Sequence, residues 1–239
     1  MQPLRVLAAG SLRPVWSAMA EHFRNEYPPG IETQFGPAGL LRQRIEQGES
    51  CDLFASANLA HPQALRQSGR ALQVAAFCRN SLCLNVRREL GNLSWLQLLQ
   101  HPQLRIATST AGSDPCGDYA WQMFDRLALW DSELGENLRQ RARMVVGGEH
   151  SPAIPPGMQA ASWIIESDQA DIFIGYSSYG HRREHNSRIA TVSIPQEWQP
   201  SAIYGFAVCD PRAQPLGDFL LSEEAQAILR QYGFGAAGA

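Results

Sequence analysis

The chain has 239 residues, 44% of them hydrophobic, and a formal charge of −3. That length admits one large domain or two lobes of ordinary size, and the apolar share supplies a sizeable core and excludes a disordered chain. Its 20 basic residues, all Arg, stand against 23 acidic ones, which leaves no basic footprint for nucleic acid, and no stretch reaches the ~18 apolar residues of a membrane span.

Arg5 to Ala9 reads as a strand running through Gly10-Ser11-Leu12 into a helix from Arg13 to Glu26, whose Trp16, Met19, Ala20 and Phe23 recur at helical spacing. Ile31 to Phe35 follows as a strand, Gly39 to Gln47 as a helix, Asp52 to Ser56 as a strand and His61 to Ser68 as a short helix. Such alternation implies parallel strands with helical crossovers in an open α/β sheet. A second α/β stretch then begins. Ser81 to Val86 is a strand, Trp95 to Gln100 a short helix and Arg105 to Ala107 a strand. A turn-rich loop, Ser109 to Gly117, leads to a helix from about Asp118 to Leu129, and a polar Arg-rich helix covers Ser132 to Arg143. Met144 to Val146, the loop Gly147 to Gly157, a helix from Met158 to Ser167 and the strand Asp171 to Gly175 complete this part. Beyond residue 192 the pattern changes: Ala202 to Cys209 is a long strand and Leu216 to Tyr232 one amphipathic helix. This tail is expected to return to the first lobe. Lobe I is then 1–79 with 203–239 and lobe II is 80–202, with chain crossings near 78–82 and 192–203 and a ligand cleft between the lobes.

Ligands of open α/β sheets sit beyond the carboxyl ends of the strands. There the sequence places Ser11, the Gly36-Pro37-Ala38-Gly39 turn, the Asp114–Gly117 loop, Met158 and Tyr176. A Ser between strand and helix either caps its own helix or donates to a bound anion. Most of these positions offer backbone N–H groups at helix starts, two offer hydroxyls, and none is an Arg. Neutral donors inside helix dipoles suit a small, fully ionised oxyanion. The five Cys (51, 78, 83, 116 and 209) contain no CxxC pair, and no metal site emerges. Cys83 and Cys209 read as core residues. Asp114 reads as the cap of the helix after it.

Several stretches, taken in order and spacing, carry a resemblance over essentially the whole chain. They are Ala8-Ala9-Gly10-Ser11-Leu12, Phe35 to Ile45, Cys51 to Ala57, Arg79-Asn80-Ser81-Leu82, Pro115 to Ala120, Ile174-Gly175-Tyr176 and Arg230 to Phe234. In these the chain resembles the molybdate-binding proteins that serve ABC importers, within the two-lobed type II periplasmic-binding-protein fold. The resemblance implies a non-enzymatic, monomeric solute-binding protein that takes molybdate or tungstate as ligand, needs no cofactor or metal, and delivers its cargo to a membrane permease. It puts ligand contacts at Ser11 and Tyr176 through their hydroxyls and at Cys116 and Met158 through their N–H groups. The family's second serine falls on Ala38, which loses a hydroxyl; backbone donors from Ala38 and Gly39 remain, and Pro37 has none. A branch with octahedral coordination adds carboxylate ligands. Asp114 matches one of them, whereas Gly175 stands where its glutamate would be. The expected location is the periplasm or the extracellular face, with the leader removed.

Two other readings remain open to this sequence. Cys116 at a helix start with His150 as its base would make a nucleophile, but no motif ties the two. A cytoplasmic small-ligand sensor of the same fold, or a binding protein for a different anion such as sulfate or phosphate, is the alternative within the binding class. Arg13, Arg42, Arg182 and Arg183 are candidate permease contacts. Trp16, Trp95, Trp121 and Trp163 fit core spacing.

Overall fold

The computed structural model describes residues 2–182 and 188–238. In the first part of the chain, β1 (Leu4–Ala9) passes through a 3-10 turn at Gly10–Leu12 into α1 (Arg13–Glu26). Then come β2 (Ile31–Gly36), α2 (Ala38–Glu46), β3 (Leu53–Ser56), α3 (Ala60–Gln67) and β4 (Gln73–Asn80). The second part holds β5 (Leu82–Arg87), α4 (Trp95–Gln100), β6 (Ile106–Ser109), α5 (Pro115–Trp130), α6 (Ser132–Arg141), β7 (Arg143–Val146), α7 (Ala160–Glu166), β8 (Ile172–Tyr176) and β9 (Ile189–Ser193). The chain closes with β10 (Ala202–Val208), α8 (Gln214–Leu220) and α9 (Glu223–Gln231).

Two compact units result: Met1–Asn80 with Ala202–Ala239, and Ser81–Ser201. The sheet of the first has the strand order β2-β1-β3-β10-β4. β1 runs parallel to β2 and β3, whereas β10 is antiparallel to both β3 and β4. The late strand β10 thus fills a gap inside a sheet begun by the first eighty residues. Its Tyr204, Phe206, Ala207 and Val208 are fully buried, as are Leu53 and Phe54 of β3 beside it and Leu4 of β1. Such continuous apolar runs mark strands covered on both faces.

The second unit repeats the plan with the order β7-β6-β8-β5-β9. β6 is parallel to β7 and β8, and β5 is antiparallel to β8 and β9. Its returning segment is fastened by Gln199, a buried side chain whose amide reads the backbone of β5 at both ends. The Leu82 N–H donates to Gln199 Oε1 at 2.8 Å, and Gln199 Nε2 donates to Leu82 O at 2.8 Å and to Ile194 O at 3.1 Å. A buried amide so satisfied fixes register rather than costing stability.

Three expectations are corrected. The closing helix from Leu216 to Tyr232 is two helices, broken at Leu221 because the Ser222 side chain accepts from the Ala225 N–H and starts α9 afresh. The helix expected from Met158 begins at Ala160, and Met158 belongs to the preceding turn. The strands β4 and β9 were not anticipated; both are outer strands of their sheets, β4 with mixed burial and β9 only five residues long.

Candidate anion-binding site

Within the first unit, β1 and β2 end beside one another, and each hands over to a helix. Ser11 lies in the 3-10 turn after β1 and is 6% exposed. Its hydroxyl caps neither the turn nor α1. It faces the Tyr204 hydroxyl of β10 at 2.8 Å, and Asn80 Nδ2 donates to the same Tyr204 oxygen at 3.3 Å. The cap reading of Ser11 therefore fails, and a buried polar triad stands in its place. Tyr204 escaped the sequence reading; the signal for it was a polar-tipped aromatic inside an apolar strand.

Pro37 occupies the N-cap position of α2, and no side chain caps this helix. The first bond of the helix runs from the Leu41 N–H to Pro37 O at 3.0 Å. The N–H groups of Ala38 and Gly39 precede that bond, and both residues are buried. Uncapped N–H groups at a helix start combine unsatisfied donors with the positive end of the dipole. This end of the first unit is thus built of donors.

The second unit differs. Asp114 caps α5: its Oδ1 accepts from the Cys116 N–H at 3.1 Å, and its Oδ2 accepts from the Ser109 hydroxyl at 2.5 Å. The position closes tightly, since a Cβ on Gly147 (φ +78°) would stand 2.5 Å from Asp114 Oδ2. Burial pushes the Asp114 carboxyl above its usual range, against the opposing bonds from Ser109 and Cys116. The Asp114 side chain therefore holds the donor that the family resemblance gives to the ligand. Gly117 lets α5 reach β6, because a Cβ there would come within 2.5 Å of Ser109 O.

Met158 is exposed, and its N–H donates to Pro155 O at 3.1 Å. Tyr176 ends β8 at 2% exposure, held edge-on by the rings of Tyr119 at 6.4 Å and Tyr179 at 6.3 Å. The Cys116 thiol is buried and burial pushes its pKa well up, the opposite of an activated nucleophile, while His150 is exposed. Among the described residues no three His, Cys, Asp or Glu gather as a metal cluster. Arg13 lies over the Phe35 ring at 5.0 Å and Arg42 pairs with Glu46 at 3.4 Å. Arg183 lies outside the described residues.

Two α/β units, with the chain returning from the second to complete the first, define the periplasmic-binding-protein class of fold. The chain matches the bacterial extracellular solute-binding protein family over residues 4–235 and belongs to that family. It is 40% identical over 235 residues to an uncharacterized Pasteurella multocida protein, covering 97% of this chain and 98% of the relative. It is 24% identical over 252 residues to the Escherichia coli molybdate-binding protein ModA, covering 97% of this chain and 88% of that one. Its fold matches the periplasmic molybdate-binding protein of Azotobacter vinelandii with a TM-score of 0.77 at 17% identity, covering 97% and 98% of the two chains.

Proposed function

We propose that this solute-binding protein captures a small oxyanion, molybdate or tungstate, at the periplasmic or extracellular face and hands it unchanged to the permease of an ABC importer. One observation carries the reading most: helix starts in the first unit, after β1 and at α2, present donors that no side chain caps. On this reading Ser11 donates through its hydroxyl and Ala38 and Gly39 through their N–H groups. Cys116 and Met158 would add N–H donors from the second unit by sharing or releasing their bonds to Asp114 Oδ1 and Pro155 O, and Tyr176 adds a hydroxyl. Hydrogen bonds to a charged group contribute about 1.5–3 kcal/mol each. Five or six of them cover micromolar binding, about 8 kcal/mol, after ordering costs.

A specific observation favours a second ligand class. Asp114 already accepts the Cys116 N–H, so a ligand oxygen at that end shares the donor with a carboxylate or displaces it. A carboxylate repels a fully ionised oxyanion but accepts a hydrogen bond from one that keeps a proton, such as hydrogen phosphate.

Thermal unfolding with molybdate, tungstate, sulfate, phosphate or no anion separates the readings. A ligand at 100 times its Kd adds about 2.7 kcal/mol, which raises Tm by roughly 5–10 °C in a chain of this size. A rise with molybdate and tungstate that shrinks in Ser11→Ala and Tyr176→Phe supports the first reading. A rise with phosphate alone, lost in Asp114→Asn, supports the second. No rise with any of the four defeats both.

A further inference from the structure

We propose that Cys51 and Cys209 form a disulfide by exchange with an external disulfide, joining the chain just before β3 to the chain just after β10. The site is built by strand register. β3 and β10 are antiparallel neighbours whose last pair is Leu53 with Val208. One step further out, the N–H groups of Cys209 and Asp210 both donate to Asp52 O, at 2.8 and 3.2 Å. This doubled contact keeps the strands together past the ladder and sets Cys209 against the Cys51-Asp52 segment. The Cys51 thiol points along β3 to Leu53 O at 3.1 Å, and the Cys209 thiol points along β10 to Ala207 O at 3.8 Å. Both sulfurs therefore lie on the same end of the same pair of strands.

The chemistry of the pair is asymmetric. Contact with the Cys51 thiol holds the Cys209 thiol below its usual range, against burial and the charge of Asp52. The same contact pushes Cys51 up. Asp52 itself is held by Arg212, Nη2 to Oδ2 at 2.7 Å. Cys209 is thus the attacking thiolate and Cys51 the resolving thiol. Both are half-buried, which leaves them open to a small reagent, while Cys78, Cys83 and Cys116 are buried.

With oxidised glutathione as the external disulfide, the Cys209 thiolate attacks one glutathione sulfur and releases the other glutathione as its thiolate. Cys51 then gives up its proton and attacks the Cys209 sulfur of the mixed disulfide, releasing the second glutathione. Two protein thiols become one disulfide, and the two electrons leave on two glutathione thiols.

The test uses the full chain. It is incubated with oxidised glutathione, denatured, alkylated with iodoacetamide and mapped by peptide mass. The expected result is joint loss of alkylation at Cys51 and Cys209 and one cross-linked peptide pair lighter by two hydrogens, both reversed by reduction. Cys78, Cys83 and Cys116 stay alkylated. In Cys209→Ser no cross-link to Cys51 forms. The proposal is overturned if both thiols remain alkylated after oxidation, if each ends as a separate glutathione adduct, or if Cys51 or Cys209 cross-links instead to one of the buried three.

Discussion

His61, in the first turn of α3, shows what one side chain's surroundings can impose. Both of its ring nitrogens are shielded from water and have no hydrogen-bond partner among the described residues. Burial, aided by the charge of Arg42, lowers its pKa to about 4. An unfolded histidine titrates near ~6.5. The unfolded chain therefore takes up a proton first as pH falls, so the stability His61 contributes is whole above that value and is lost as pH drops toward 4. His61→Gln should flatten the dependence of Tm on pH between those limits, and the ring resonances of the parent protein should titrate near 4 by NMR. A midpoint near 6.5 would contradict the buried, unpaired ring. Nothing in the sequence around His61 announced this. By contrast, the Asp114 cap was legible, because Asp-Pro before a helix has a local mechanism. Ser11 and Tyr204 were not: their bond spans 193 positions and exists only once β10 has joined the sheet.

At the scale of elements, helix α6 lies back along α5 with a glycine at the point of nearest approach. A Cβ on Gly135 would stand 2.6 Å from the Ala128 Cα and 2.7 Å from its nitrogen. In an open helix Gly→Ala stabilises by about 1 kcal/mol. Here the sign reverses, because backbone rather than a flexible side chain must give way. Gly135→Ala should lower Tm by several degrees, at about 1–3 kcal/mol for overpacking; a rise would show that the helix pair has room. The interior elements were legible to within a few residues, since β1, β3, β5, β8 and β10 are mostly apolar, interrupted inside the run only by Arg5 in β1 and Asn85 in β5. The outer strands β4 and β9 were not: β4 is neither alternating nor uniformly apolar, and β9 is a run of only five residues. The break between α8 and α9 has a local sign, Ser222 followed by Glu223 and Glu224. Met158 was misplaced for the converse reason: its N–H turns to Pro155 O, a bond that side-chain patterns do not reveal.

For the whole molecule, the two units differ in how the chain builds them. Ser81–Ser201 is one continuous stretch with its own sheet and its own buried cluster around Ile164, Ile165 and Phe173. Residues 81–201 expressed alone should therefore unfold cooperatively with heat, as followed by circular dichroism. A fragment without a transition would show that this unit needs the other. Residues 1–80 have no such independence, because β10 lies between β3 and β4 in the finished sheet. On the ribosome this order becomes a delay. At about 5–20 residues per second, the 121 residues between β4 and β10 take roughly 6–24 s to emerge. Throughout that interval the edges of β3 and β4 are synthesised but unpaired, and an open strand edge is a template for any other chain nearby. The nascent protein thus carries an open sheet edge once a third of it has been made, and translation speed across the second unit sets how long that exposure lasts.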